Sequence, residues 1–254
     1  MIRWRVPRIW PDSTVFVVGG GPSLTMEQLE TLRQHKAEGH YRVLGINKAF
    51  ELGGWVDAVY FGDKKYYDKF RKKMVQFYPG LLVSTVPQCE RDRYVKYVGK
   101  DRKKRHGISE RPDAICWNKN SGCSGINLAY LFGATHIILL GFDMAPMPDP
   151  TPIKTTTKKG EDRPKATHWH DGYPEFGRPS RDETGKPPTK LPYNRYLKVI
   201  PQIAKDAKRL GLQITDCSLK GQIKHWSKRS VEELIEEEVI RCRENCKDSK
   251  GQGQ

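Results

Sequence analysis

Residues 14–24 read Thr-Val-Phe-Val-Val-Gly-Gly-Gly-Pro-Ser-Leu, an apolar run that passes straight into three glycines, a proline and a serine suited to starting a helix. A β-strand is expected over 14–19, and the glycines predict a cradle for a phosphate. Without a Cβ, glycine lets backbone N–H groups come close to an anion, and the following helix aims its unpaired N–H groups at the same place. The candidates in this turn are Gly20, Gly21, Pro22 and Ser23. The motif is neither Gly-x-Gly-x-x-Gly, because Leu24 stands at its last position, nor a Walker loop, because no Gly-Lys-Ser/Thr follows.

Working outward, short apolar runs alternate with helix-period segments, the pattern of a doubly wound, mostly parallel Rossmann-like α/β sheet. Further strands are expected at 41–46, 57–62, 81–85, 113–117, 135–142 and 212–217. Helices are expected at 25–38, 64–77, 122–133 and 193–210. Thr25 with Gln28 forms a capping box, and Ser230 with Glu233 opens a last helix. Residues 1–229 read as one domain, 230–247 as a C-terminal helix and 248–254 as a disordered tail. Residues 145–192 hold ten of the seventeen prolines and no sustained period, so they predict a long inserted loop. Its His168-Trp169-His170 and Tyr173 favour a lid that orders over a ligand.

The chain has 254 residues and a net charge of +15, which argues for a polyanionic partner. Between Lys64 and Arg111 there are fifteen Lys/Arg and five Asp/Glu, so this stretch alone carries +10. Lys72, Lys73, Arg102, Lys103, Lys104 and Arg105 are its candidate nucleic-acid contacts. The six cysteines are scattered without a Cys-x-x-Cys pair, and no signal peptide opens the chain, which predicts a reduced, cytoplasmic protein, in the host cytoplasm if phage-encoded. No apolar run reaches the ~18 residues of a membrane span.

In an open parallel sheet the ligand sits beyond the carboxyl ends of the strands. The polar residues expected there are Ser23, Asn47, Asp63, Ser84, Thr85 and Asp143, with Asn120-Ser121-Gly122 opening a helix at the same edge. The succession Gly21-Pro22-Ser23-Leu24, Ile46-Asn47-Lys48-Ala49-Phe50, Ala58 to Asp63 followed by Tyr66-Tyr67, Ser121-Gly122 with Asn127-Leu128-Ala129, and Leu140-Gly141-Phe142-Asp143 resembles the bacterial sialyltransferases that use CMP-activated sugars. It is similar also to the motility-accessory glycosyltransferases and the MptE-type hydroxymethylpterin diphosphokinases.

The resemblance implies a variant glycosyltransferase A-type fold that works without metal or other cofactor. Gly21 and Ser23 would hold the nucleotide phosphate or ribose, Asn47 and Asp63 would border the donor, Ser121 and Gly122 would contact the nucleotide, and Asp143 would bond the ribose or base. His168 or His170 would be the general base, with Asp63 as the other ionisable group there. The sequence departs from the family in three places. Asp63 stands where an amide is usual, Lys48 follows Asn47 where Gln is usual, and two tyrosines expected soon after Asp143 are missing, leaving Tyr173 or Lys154 as substitutes.

Histidine has the pKa to take a hydroxyl proton, and helix N-termini can stabilise a departing phosphate. There is no Asp-x-Asp pair for a metal; Glu90-Arg91-Asp92 is the nearest approach, and His168-x-His170 lacks the companions of a zinc site. Three functions follow. The first is a glycosyltransferase that moves sugar from a nucleotide-activated donor to a polyanionic acceptor, such as a hydroxymethylated base in phage DNA. The second is an MptE-like pyrophosphokinase acting on a pterin-like alcohol. The third is a non-enzymatic nucleic-acid-binding module with Trp117, Trp169 and Trp226 for stacking.

Overall fold

The computed structural model describes residues 4–39, 41–145 and 193–251. The opening apolar run forms β1 (Thr14–Val18), every residue of which is buried. On one side of it lie β2 (Arg42–Ile46), β3 (Ala58–Phe61), β4 (Leu81–Ser84) and β5 (Val95–Tyr97). On the other lie β8 (His136–Leu140), β9 (Gln213–Asp216) and β10 (Ser227–Lys228). All of these pairings are parallel. The order β10-β9-β8-β1-β2-β3-β4-β5 makes β1 the point where the chain reverses its direction of travel across the sheet.

Alternation along β1 decides which helix covers which face. Val15 and Val17 belong to one apolar cluster, Phe16 and Val18 to the other. The first cluster receives α3 (Ser121–Phe132) and α5 (Ile200–Arg209), through residues such as Ile126 and Ile203. The second receives α1 (Met26–Gly39), α2 (Lys64–Phe77) and α6 (Val231–Gly251), through Leu32, Met74 and Leu234. The sheet is therefore doubly wound. The chain leaves β1 toward one face and returns to β9 from α5 on the other, the arrangement that opens a crevice at the carboxyl ends of β1 and β8. Among the described residues no helix is long and apolar enough to cross a membrane.

Local signals hold at both expected caps. Thr25 Oγ1 accepts from Gln28 N–H at 3.1 Å while Gln28 Oε1 accepts from Thr25 N–H at 3.2 Å, and Ser230 Oγ accepts from Glu233 N–H at 3.1 Å. Four boundaries differ from expectation. The strand expected at 113–117 shrinks to β7 (Ala114–Ile115), which pairs only with β6 (Gly99–Lys100) in a small separate sheet. It stops because Cys116 N–H is taken by the Asn127 side chain and because Asn118 and Lys119 turn left-handed at φ 52° and 55°. The helix expected at 193–210 breaks into α4 (Tyr193–Leu197) and α5, because Pro201 can neither donate an N–H nor clear the preceding turn. Strand β5, which was not expected, joins the edge of the sheet inside the charged segment, where Val95-Lys96-Tyr97 alternates over only three residues. The last helix runs on to Gly251, past the tail boundary expected at residue 248. The proposed lid beyond Ala145 lies outside the described residues.

Two polar groups, one buried and one half-buried, hold this frame. Asn127, with no exposed surface, accepts from Ser109 N–H at 2.8 Å and Cys116 N–H at 2.9 Å and donates to Ser109 O at 2.9 Å. Asn127→Leu strands all three partners, so a loss of about 3 kcal/mol is expected, read as a lower urea midpoint at unchanged m-value. His136, at the start of β8, sits 2.9 Å from Thr215 Oγ1, and burial, aided by the Arg241 charge, pushes its pKa down to about 4. The unfolded chain therefore takes up the proton first. The contribution of His136 is complete above its ordinary pKa of 6.5 and is lost as pH falls toward about 4. His136→Gln is expected to flatten this acid-side loss, worth roughly 3 kcal/mol at its limit, in urea titrations at successive pH values.

Candidate functional site

The glycine turn after β1 and the exit of β8 are pressed together. Gly19 N–H donates to Leu140 O and Gly21 N–H to Gly141 O, both at 2.8 Å, so sheet pairing continues past the end of either strand. A Cβ on Gly21 would lie 2.0 Å from Asp143 Oδ2 and 2.5 Å from Gly141 O. Gly141 is itself left-handed at φ 66°. This alters the meaning of the glycine run. Two of its three N–H groups close the seam instead of facing a phosphate, and Gly20 N–H is the one with no partner among the described residues.

Asp143 is buried at 5% exposure, and its Oδ2 accepts from Ser23 Oγ at 2.9 Å and Ser23 N–H at 3.3 Å. The carboxylate thus fixes the Pro22–Ser23 turn and, through it, the approach to α1. On its other flank Gln222 N–H donates to Asp143 O, and Gly221 packs so closely that a Cβ would lie 3.1 Å from Asp143 Cα. Phe142 N–H donates to Ser218 Oγ at 2.7 Å. Behind Ser218 lies a pair that the sequence did not advertise. Asp216, fully buried, meets Lys228 Nζ at 2.5 Å and accepts from Ser218 N–H at 2.8 Å. Burial raises the Asp216 carboxyl above its ordinary range in spite of Lys228. An aspartate at the end of the short strand Gln213–Asp216 was the available signal.

The helix α3 runs back against the strands, so its first turn stands at the same edge. Asn120 caps it by accepting from Cys123 N–H at 3.0 Å. Gly122 has no room for a side chain, since a Cβ would come 2.9 Å from the Phe142 ring. Ser121 is half-buried, with its hydroxyl 3.6 Å from the position of a Cβ on Gly62, after β3. Below Gly62, the Tyr60 hydroxyl bonds Thr85 Oγ1 at 3.0 Å, and burial pushes that phenol up to about 12. Ser84 is turned inward, donating to Phe61 O. Asn47, after β2, is left-handed at φ 54°, and its buried Oδ1 has no hydrogen-bond partner among the described residues. Asparagine tolerates that backbone, and the bare carbonyl oxygen suits a donor on a ligand.

The edge thus brings together Gly20–Ser23, Asn47, Gly62, Ser121–Gly122 and Asp143. Asp63 has a different task, since its Oδ1 accepts from Lys65 and Tyr66 N–H and caps α2. Asp92, from the nearest approach to a metal pair, is a buried brace held by Tyr67 OH at 2.8 Å and Arg71 Nε at 2.6 Å. His168, His170, Tyr173 and Lys154 lie outside the described residues.

The basic segment does not form one surface. Lys72 and Lys73 are on α2, over one face of the sheet, while residues 102–105 follow β6, whose surroundings Val98, Ile108 and Ile115 belong to the cluster on the other face. Lys73 pairs with Glu51 at 2.6 Å. Lys104 is an internal strut, bonded to buried Asp206 at 2.9 Å and to Ile108 O at 2.8 Å. Lys72, Arg102, Lys103 and Arg105 are exposed.

No family model matches the chain, and no curated protein matches it. Among solved structures it is similar to a MAf glycosyltransferase from Magnetospirillum magneticum AMB-1, with a TM-score of 0.55 at 11% identity over 95% of this chain. The fold is shared with a glycosyltransferase. The chain spans 39% of that protein's length. It is also similar to the sialyltransferase CstII from Campylobacter jejuni, solved in complex with a substrate analogue, cytidine-5'-monophosphate, with a TM-score of 0.45 at 10% identity over 87% of this chain and 86% of that one.

The seam sets a test that separates packing from ligand contact. Gly21→Ala forces a methyl into the Asp143 carboxylate and the Gly141 carbonyl, so about 2 kcal/mol or more of stability is expected to be lost before any ligand is added. A variant as stable as the unmodified protein in chemical denaturation would refute the seam.

Proposed function

We propose that the chain is a glycosyltransferase that binds a nucleotide-activated sugar in the crevice between β1 and β8 and transfers the sugar to a hydroxyl on a polyanionic acceptor. The observation that carries this reading is the rim itself: Ser23 pinned by Asp143, the bare Asn47 carbonyl and the first turn of α3 on one sheet edge at the switch point. The acceptor we favour is DNA bearing a hydroxymethylated base, on the strength of the +15 charge.

In this mechanism the acceptor oxygen attacks the anomeric carbon, the bond from that carbon to the phosphate oxygen breaks, and the electron pair leaves with the nucleotide. The N–H groups opening α3 favour the departing phosphate. His168 or His170 takes the acceptor proton, and no metal takes part. The shared glycosyltransferase fold supports a transferase of this kind without naming its donor.

A thermal-shift panel of CMP, UMP, UDP, GDP and ATP, with and without magnesium, tests the donor site. Saturation by one pyrimidine or guanine nucleotide without magnesium is expected to raise Tm by about 5 °C or more. Magnesium-dependent stabilisation by ATP would favour the pyrophosphokinase instead, and a silent panel the binding module. Asn47→Gly keeps the left-handed turn but removes the carbonyl, so it is expected to weaken that nucleotide about tenfold at unchanged stability. Alanine at the true loop base is expected to cost roughly 10²–10⁴ in turnover with nucleotide affinity retained.

A further inference from the structure

The exposed indole of Trp117 stands out because the residues on either side of it are buried and hydrogen-bonded. Cys116 and Asn118 have no exposed surface, yet Trp117 between them is 45% exposed. Its carbonyl accepts from Ser124 Oγ at 2.6 Å, which ties it to the first turn of α3. Asn118 clamps the next joint. Its Oδ1 accepts from Gly107 N–H at 2.8 Å, and its Nδ2 donates to Gly107 O and Cys123 O. The chain makes two consecutive left-handed residues here, Asn118, which tolerates that backbone, and Lys119, where it costs about 1–2 kcal/mol. The turn carries the Asn118 side chain inward and leaves the indole just before it in solvent.

One cation lies over this indole, and others follow in the adjoining loop. Lys100 Nζ stands 5.8 Å from the centre of the ring, and Asn118 N–H donates to Arg105 O, which fastens the exposed Arg102, Lys103 and Arg105 loop beside it. Asp101 accepts from Lys103 and Lys104 N–H, so the loop is a fixed turn. Lys119 leads directly to Asn120 and Ser121 at the crevice rim. Within this surface His106 Nδ1 is buried without a partner, and burial together with the Lys119 charge keeps its imidazole below the ordinary range. An aromatic face flanked by fixed cations is how proteins hold an unpaired nucleotide, the base stacking on the ring and the phosphates on the cations.

We infer that Trp117, Lys100, Arg102, Lys103, Arg105 and Lys119 form a docking surface for single-stranded nucleic acid, with one unpaired base stacked on Trp117 beside the crevice. It rests on the transferase reading only for its purpose, which is to bring an extruded acceptor base to the donor sugar.

The test is fluorescence anisotropy of the full chain with labelled single-stranded DNA, duplex DNA and heparin as competitors over a series of salt concentrations. Trp117→Ala is expected to weaken single-stranded DNA about 5- to 100-fold with its salt slope intact, and Trp117→Phe to retain most of the affinity. Replacing Arg102, Lys103 and Arg105 by Ser is expected to lower the slope of log affinity against log salt by about 2. Unchanged binding by Trp117→Ala, or heparin competing as well as single-stranded DNA, would overturn the inference. The same variants are measured with the nucleotide panel. Trp117-dependent DNA binding in a protein that shifts with no nucleotide would keep the docking surface and sink the transferase reading.

Discussion

The contact on which the rest depends is that between two stretches of backbone, Gly19–Gly21 and Gly141. At Gly19 a Cβ would stand 2.6 Å from Gly141 O, and at Gly21 2.5 Å from the same oxygen, so neither position admits any other residue without movement. The closeness lets β1 and β8 continue their hydrogen bonding beyond the sheet and brings the Asp143 carboxylate against Ser23. Phe142, carried by the same exit, gives the first turn of α3 its resting place at Gly122. Four parts of the rim are thereby located by one seam.

Polar groups buried away from the rim keep it in place by satisfying backbone that no strand or helix pairs. Asn127 and Asn118 do this for the connections around β7, and Ser218 does it for Phe142. The pair of Asp216 with Lys228 fastens β9 to β10 behind them. Buried pairs of this kind contribute more to a single arrangement than to stability, because desolvation offsets most of their attraction.

The positive charge has two uses that composition cannot separate. Part of it is neutralised by carboxylates: Lys104 with Asp206, Arg71 with Asp92, Lys73 with Glu51. The remainder is divided between the two faces of the sheet, and on the α3 face it gathers round Trp117. A count of lysines and arginines along the chain predicts attraction for polyanions, while only the pairing decides which cations are left to meet one.

Much of this was legible in the chain. The apolar runs pointed to a parallel sheet, because strands buried on both faces are nearly continuous apolar runs, as β1 is after Thr14 and β8 after His136. The cap residues Thr25, Asn120 and Ser230 act on backbone three residues on, so local sequence sufficed for them. What the sequence alone left undecided involves partners far apart in it. Gly21 read as an open cradle, and only the arrival of Gly141 and Asp143, some 120 residues later, made it a closed seam. Asp143 read as a ligand group and is bound first to Ser23; Lys104 read as a surface cation and meets Asp206 across the chain. Residue type and spacing report what a side chain can do, and long-range packing decides which of its partners arrives.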